Sequence, residues 1–129
     1  MPDRIMDYID GNLKIQPEQQ DNMFHGEISL VPEFCAFQGH FPGNPVLPGV
    51  VYLMIAQRFI EAVVKEKTVI VSAKKNKFFH ILQPPVQLFL KAEIKPAGDE
   101  YSVKVFFYTE SVPRAAVIQL KLQRETTAK

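Results

Sequence analysis

Apolar and polar residues alternate along several stretches of this chain, and the alternation is clearest in its C-terminal half. From Val86 to Ile94 every second residue is apolar, and the same pattern recurs from Ala116 to Leu122. A period of two is typical of strands that bury one face. We predict four C-terminal strands, at residues 68–79, 86–95, 100–109 and 114–123. Turns are expected at 96–99 and 111–113, where Pro, Gly, Asp and Ser cluster.

The N-terminal part predicts a short helix followed by two strands. Residues 3–9 place Ile5, Met6 and Ile9 on one side, and Gly11 and Asn12 are expected to end the helix. Two strands are expected at 13–16 and 23–31. In the second strand, Phe24, Gly26, Ile28 and Leu30 would share one face.

Residues 49–65 predict a helix that is apolar on nearly every side over its first two turns. Pro48 precedes it, where a missing N–H costs nothing, and the polar residues form only a narrow stripe of Arg58, Glu61 and Lys65. A helix that is apolar all round is normally buried. This stretch is shorter than the about 20 residues that span a bilayer, so we expect protein to surround it. One long helix followed by hairpin-linked strands indicates an α+β fold.

Composition and charge limit the kind of protein this can be. The 129 residues carry a net charge of +1, 47% hydrophobic residues and one cysteine. We expect a single domain over 1–129, no disulfide and a cytoplasmic location. Nothing in the charge or motifs favours nucleic acid or a membrane as partner. The spacing of three histidines and Cys35 is unlike a metal site, so neither a metal nor a cofactor is implied.

The stretch from Gln38 to Gly49 stands apart because it holds three prolines and three glycines in twelve residues. Such a stretch predicts a rigid, irregular loop that leads into the helix at Pro48 and Gly49. His40 lies within it. A histidine beside a helix start is a candidate general base, because its pKa lies near neutrality. The first N–H groups of the helix, most directly that of Gly49, could polarise a carbonyl. Alternatively, Gly49 is only a hinge.

The string Gly-His-Phe-Pro-x-x-Pro-x-x-Pro-Gly-Val at residues 39–50 resembles the signature of FabZ/FabA-type β-hydroxyacyl-(acyl-carrier-protein) dehydratases. The resemblance implies a hotdog fold, in which a curled antiparallel sheet wraps around one buried helix. It also implies a homodimer or higher homo-oligomer with an acyl-thioester site at the interface between protomers. The substrate would be carried by acyl carrier protein or by CoA, and dehydration would yield a trans-2-enoyl thioester.

Site roles follow from the same resemblance. His40 would remove the proton next to the thioester carbonyl, and Gly49 would polarise that carbonyl. These substrate-binding positions are implied as well: Phe41, Pro48, Val50, Met54 and Gln57. The family's second catalytic group is a Glu or Asp fourteen positions after the histidine, and Met54 stands there in this chain. A one-residue gap would place Leu53 there instead. Neither side chain donates a proton usefully.

Three interpretations of this departure remain open. Another group could substitute, with Gln57, Glu33 and His80 as candidates. The chain could instead be a thioesterase in which His40 activates water. It could also be a non-catalytic module that binds an acyl chain or a carrier protein, or that pairs with an active homologue. The aromatic residues 78, 79, 89 and 106–108 are either core or the lining of an acyl tunnel or interface. Lys74, Lys75 and Lys77, together with Arg58 and Lys65, could form a basic patch for an acidic carrier. Alternatively, these lysines are only a solvated strand end.

Overall fold

The computed structural model describes residues 2–16, 19, 23–37 and 46–125, so His40 and Phe41 lie outside the described residues. The described part contains two helices, one short 3₁₀ turn and seven strands. The helices are α1 (Pro2–Asn12) and α2 (Gly49–Val64), and the 3₁₀ turn is Cys35–Phe37. The strands are β1 (Lys14–Ile15), β2 (Phe24–Leu30), β3 (Thr68–Ala73), β4 (Lys77–Phe78), β5 (Val86–Ala97), β6 (Glu100–Tyr108) and β7 (Ala116–Arg124).

The seven strands form one antiparallel sheet in the order β1-β2-β5-β6-β7-β3, and β4 also pairs with β7. β5, β6 and β7 follow one another as hairpins at the centre, where Leu90 lies opposite Phe107 and Val105 opposite Ile118. The strand from before the helix, β2, joins the far side of β5. The α+β class is confirmed, and periodicity alone could not have supplied this strand order.

The inner face of the sheet packs against α2. Leu88, Leu90 and Ala92 of β5 are buried, as the alternation in the sequence predicts. They share one continuous core with the buried residues of the helix, which are Val51, Tyr52, Ile55, Ala56, Phe59 and Ile60. A curled antiparallel sheet around one buried helix is the hotdog fold, so the fold expected from the motif is confirmed.

Gly26 sets how closely β2 approaches the helix. A Cβ atom at this position would lie 2.7 Å from Cε1 of Phe59 and 2.9 Å from the carbonyl oxygen of Lys14. Both separations are shorter than van der Waals contact. The predicted inner face of β2 is therefore correct, and a glycine is required where the ring of Phe59 crosses the strand.

The strand predicted at 68–79 is wrong as one element, because the structure divides it into β3 and β4. Lys75 adopts a left-handed backbone conformation with φ 62°, which interrupts the strand. The side-chain oxygen of Asn76 then accepts a hydrogen bond from the backbone N–H of Gln119 at 2.9 Å. At this break, the side chain of Asn76 thus replaces a strand neighbour as the hydrogen-bond acceptor for β7.

Two further boundaries differ from the prediction. The turn expected at 96–99 is tighter, since β5 continues through Ala97 and only Gly98 and Asp99 form the turn. Gly98 has φ +65°, which suits a two-residue hairpin loop. Helix α1 also runs past Gly11 to Asn12, whose side chain donates to the carbonyl of Tyr8 at 2.8 Å.

Candidate functional site

No side chain of the described residues caps the start of helix α2. Pro48 is the N-cap residue, with an extended backbone of φ −68° and ψ 147°. The carbonyl of Pro48 accepts a hydrogen bond from the N–H of Val51 at 3.0 Å, which closes the first turn. A proline has no side-chain oxygen with which to cap a helix, so this sequence leaves the first N–H groups available.

Two of these N–H groups have no partner within the described part of the chain. No hydrogen bond between described residues involves the N–H of Gly49 or of Val50. Unpaired donors and the positive end of the helix dipole favour negative charge at this point. The helix start can therefore hold an oxyanion or polarise a carbonyl, provided that a ligand reaches it.

Aromatic packing limits the space beside Gly49. A Cβ atom on Gly49 would lie 3.2 Å from Cζ of Phe78, so the aromatic ring covers the helix backbone directly. Phe78 is itself 50% exposed, and Val50 is 61% exposed. The segment after β4 adds Phe79 and Ile81, which are 43% and 78% exposed. Four exposed apolar side chains thus lie on segments next to the helix start. An apolar patch of this kind often marks a surface that binds another molecule.

The segment that enters α2 is anchored from one side. The N–H of Leu47 donates to the carbonyl of Leu82 at 3.0 Å, and both side chains are buried. The N–H of Phe79 donates in turn to the carbonyl of Ala115 at 2.9 Å, next to the start of β7. The helix start therefore has a defined position relative to the sheet.

The other predicted site residues lie along one side of α2. Met54 and Leu53 are half-buried, and both contact the hydrophobic core. Met54 continues the half-buried line formed by Arg58 and Glu61 one and two turns further on. The roles predicted for His40 and Phe41 remain predictions outside the described residues. The substrate-binding roles of Pro48, Val50 and Met54 also remain predictions.

Gln57 and Glu61 hold the beginning of β3. The side-chain nitrogen of Gln57 donates to the carbonyl of Thr68 at 2.9 Å. Glu61 accepts from the backbone N–H of Thr68 at 2.7 Å and from its hydroxyl at 3.1 Å. Thr68 is buried and lies on the edge strand β3. Side chains of helix α2 thus bond both its backbone N–H and its backbone carbonyl. This structural task accounts for the polarity of Gln57, while its predicted contact with substrate stays a prediction.

The remaining candidates separate into different regions. Glu33 and His80 are exposed side chains on connecting segments. Among the aromatic residues, Phe107 belongs to the core, whereas Phe89 and Tyr108 stack on the outer face of the sheet with centroids 5.5 Å apart. Phe106 lies on the same face, with the ammonium of Lys104 5.3 Å from its ring centroid.

Two lysines of the predicted basic patch share one groove. Lys74 and Lys75 line a groove of about 360 Å³ together with Lys121 of β7, while Lys77 does not line it, and none of the groove's described lining residues is acidic. Arg58 does not contribute, since its guanidinium bonds Asp10 at 2.5 Å and Glu61 at 3.0 Å elsewhere on the surface.

The sequence pattern does not distinguish Tyr52 from its neighbours as a site residue. It lies one turn after Gly49 and is 2% exposed, and burial raises the pKa of its hydroxyl well above the ordinary value. The only sequence signal was a polar-tipped residue in an otherwise apolar helix.

Comparison with solved structures agrees with the fold described above. The solved dehydratase heterocomplex ApeI:P from Xenorhabdus doucetiae matches with a TM-score of 0.69 and 26% identity, over 84% of this chain and 92% of that one. A hypothetical thioesterase with coenzyme A from Streptococcus pneumoniae TIGR4 matches with a TM-score of 0.70, over 100% and 99% of the two chains. Its identity is 13%, so this second likeness concerns the fold alone. The fold and the helix start thus define a hotdog protein.

Sequence comparison narrows the class. A family model described as ApeI-like, ApeI dehydratase, matches residues 16–124, and the chain belongs to this family. A 3-hydroxyacyl-[acyl-carrier-protein] dehydratase FabZ from Latilactobacillus sakei is 34% identical over 93 residues. That alignment covers 67% of this chain and 66% of the relative, just under two thirds of its length.

The described residues lack two kinds of feature. No helix there has both the length and the apolar character needed to cross a membrane. In the same residues, no group of three or more His, Cys, Asp and Glu side chains is arranged to hold a metal ion.

Proposed function

We propose that this protein dehydrates 3-hydroxyacyl thioesters to trans-2-enoyl thioesters, with His40 as the base. The observation that carries the proposal is the start of α2, where the N–H groups of Gly49 and Val50 have no partner among described residues. Membership of the ApeI-like dehydratase family supports it. A thioester carbonyl at this point would gain hydrogen bonds as negative charge develops on its oxygen.

The proposed steps conserve atoms and charge. The imidazole of His40 takes the proton from carbon 2, and the electron pair of that bond forms an enolate whose oxygen is held by the N–H of Gly49. The enolate then collapses, the double bond between carbons 2 and 3 forms, and the bond between carbon 3 and its hydroxyl breaks. Because Met54 cannot supply a proton, the imidazolium returns its own proton to the departing hydroxyl, and water leaves.

A direct assay distinguishes this reaction from hydrolysis. The protein is incubated separately with 3-hydroxyacyl and saturated acyl thioesters, while enoyl absorbance and free thiol are followed together. We expect enoyl formation without thiol release, and its loss in His40→Ala. His25→Ala is the matched control, because His25 lies on β2 opposite Lys91, between strand positions that face the core. Thiol release that depends on His40 would instead identify a thioesterase, and binding without turnover a non-catalytic module.

The exposed apolar residues around the helix start favour an oligomer in which a second protomer covers them. Val50, Phe78 and Ile81 are all at least half exposed in the single chain. A monomer at micromolar concentration would contradict this part of the proposal. The solved ApeI:P structure is named a heterocomplex, so a different chain is the other possible partner. Activity that appears only after such a chain is added would favour a carboxylate supplied by that partner.

The lysine groove fits an acidic carrier of the acyl group. Residues 65–129 hold twelve basic and six acidic residues, whereas residues 1–64 hold three basic and eight acidic ones. Lys74, Lys75 and Lys121 therefore lie in the basic half, and no acidic side chain is found among the described residues that line their groove. Lys74 also lies only three residues before β4, which leads to the helix start. Charge complementarity of this kind accelerates and orients docking.

Charge reversal tests the carrier. The double variant Lys74→Glu, Lys75→Glu should raise KM for a carrier-bound substrate and reduce its salt dependence. KM for the uncharged N-acetylcysteamine thioester should not change, because that substrate has no charged carrier. Lys14→Glu, on the edge strand β1, is the control. An equal rise in KM for both substrates would show that the lysines do not act through a carrier.

A further inference from the structure

Tyr52 is enclosed by aromatic rings near the beginning of α2. Its ring centroid lies 5.4 Å from that of Phe78 and 5.0 Å from that of Phe107, which meets it edge-on. The residue is 2% exposed. These contacts hold the ring in one place, and they account for the apolar part of the side chain but not for its hydroxyl.

The Tyr52 hydroxyl has no hydrogen-bond partner among the described residues. Two other tyrosines of the described chain, the half-buried Tyr8 and the buried Tyr101, do have hydroxyl partners. The hydroxyl of Tyr8 donates to the carbonyl of Ser29 at 2.6 Å and accepts from the N–H of Val31 at 3.2 Å. That of Tyr101 bonds Glu66 and Arg124. A buried phenol without a partner would normally be costly.

The described core does not seal this hydroxyl in. No buried side-chain nitrogen or oxygen of the described residues lacks a hydrogen-bond partner. Since no described residue bonds the Tyr52 hydroxyl, its oxygen must be reachable from outside the described core. A group other than the described side chains can therefore bond it, and a ligand is one such group.

Helix geometry indicates where the hydroxyl lies. Side chains on a helix lean toward its N-terminus, so a residue covers the turn that precedes its own Cα. The ring of Tyr52 therefore extends over the turn that begins with Gly49. Phe78 agrees with this direction, because its ring contacts both Tyr52 and the Cα side of Gly49. The phenol and the unpartnered N–H groups thus belong to the same end of the helix.

A phenol in this position stays protonated. Desolvation by burial raises the pKa of Tyr52, since the charged phenolate is disfavoured away from water. The group is therefore a lasting hydrogen-bond donor at neutral pH and a poor proton-transfer acid. It can stabilise a developing negative charge without losing its proton.

We propose that the Tyr52 hydroxyl donates a hydrogen bond to the thioester carbonyl oxygen, as a further oxyanion donor beside the N–H of Gly49. This assignment rests on the proposed function and names a residue that the motif does not include. We expect this hydrogen bond to matter more in this chain because Met54 stands where the family has an acid. Without an acid to assist the leaving hydroxyl, the rate depends more strongly on how well the enolate oxygen is stabilised.

The test is Tyr52→Phe, which keeps the ring and its contacts with Phe78 and Phe107. We expect kcat for enoyl formation to fall by about 10²-fold, as for the loss of one oxyanion donor, with KM little changed. The melting temperature should not fall, because the hydroxyl has no described partner within the fold. Tyr108→Phe, on the outer face of the sheet, is the matched control and should leave kcat unchanged.

A second readout does not require turnover. An enoyl thioester labelled with carbon-13 at its carbonyl should show a lowered carbonyl stretching frequency when bound, and Tyr52→Phe should remove part of that shift. Unchanged kcat and an unchanged stretch would overturn the assignment. So would a clear fall in melting temperature, which would show that the hydroxyl is bonded within the fold. If the parent protein binds a thioester without dehydrating it, the proposed function fails while the stretch still decides the role of Tyr52. Absence of any thioester binding would overturn both.

Discussion

Replacing Met54 with Glu tests the departure that distinguishes this chain from the FabZ/FabA motif. The change restores a carboxylic acid at the position where the motif has one. Met54 is half-buried against the core and one turn before Arg58 on the same side of α2. A Glu there gains a favourable helical neighbour at i+4, and its loss of apolar burial costs about 1 kcal/mol, half of a full methionine burial. The variant should therefore fold.

The expected gain in rate is large. General acid assistance contributes about 10²–10⁴-fold, which corresponds to about 3–5 kcal/mol in the barrier. Since His40 would no longer have to return its own proton, we expect kcat for enoyl formation to rise by at least tenfold even with imperfect placement. The assay follows the enoyl thioester absorbance under saturating substrate, with circular dichroism to confirm folding.

Two variants make the result interpretable. Met54→Gln has the same shape and polarity as the Glu variant but no acidic proton, so it should not accelerate the reaction. Leu53→Glu tests the alternative alignment, because Leu53 is half-buried on the neighbouring position. A folded Met54→Glu protein with an unchanged rate would refute our placement of the missing acid. Equal gains in the Gln and Glu variants would refute the acid explanation itself.

Three further predictions concern stability. Gly26→Ala adds a methyl carbon 2.7 Å from the ring of Phe59, so denaturant titration should show a loss of about 1–3 kcal/mol, and an unchanged midpoint would contradict the close crossing. Glu61→Ala leaves the buried N–H of Thr68 unpaired and should lower the free energy of unfolding by about 1–3 kcal/mol. Glu61→Gln retains an acceptor oxygen and should lower it less, and equal losses in the two variants would argue against this hydrogen bond. Burial raises the pKa of Tyr52, so above about pH 10 the unfolded chain loses this proton while the folded chain keeps it, and the folded state loses stability as the pH rises further. The melting temperature of Tyr52→Phe should therefore equal that of the parent near neutral pH and fall less steeply in alkali; parallel alkaline profiles would contradict this.

The local elements of the fold could be predicted because their signals are local. Pro48 and the apolar run after it placed the beginning of α2 at Gly49, where the structure has it. Alternation placed Leu88 and Leu90 on the buried face of β5. These features depend on residues within a few positions of each other, so backbone sterics and periodicity suffice. The hotdog fold itself was inferred from the motif at 39–50, and periodicity supplied no strand order.

What the sequence left open depends on contacts between distant residues. The break between β3 and β4 is served by Asn76 bonding Gln119, forty-three positions away. Gln57 was a candidate site residue, yet its amide holds the carbonyl of Thr68. No local pattern reveals such partners.

The candidate site divides in the same way. The sequence by itself determined which residues are predicted to bear the chemistry: a histidine in a proline-rich loop, a glycine at a helix start and a methionine where an acid is usual. Only the tertiary structure decided that no described side chain caps the helix start, that Phe78 covers Gly49, and that Tyr52 is buried without a described partner. The physical reason is that burial and hydrogen-bond satisfaction are properties of the packed chain, since each depends on which distant segments exclude water from a group.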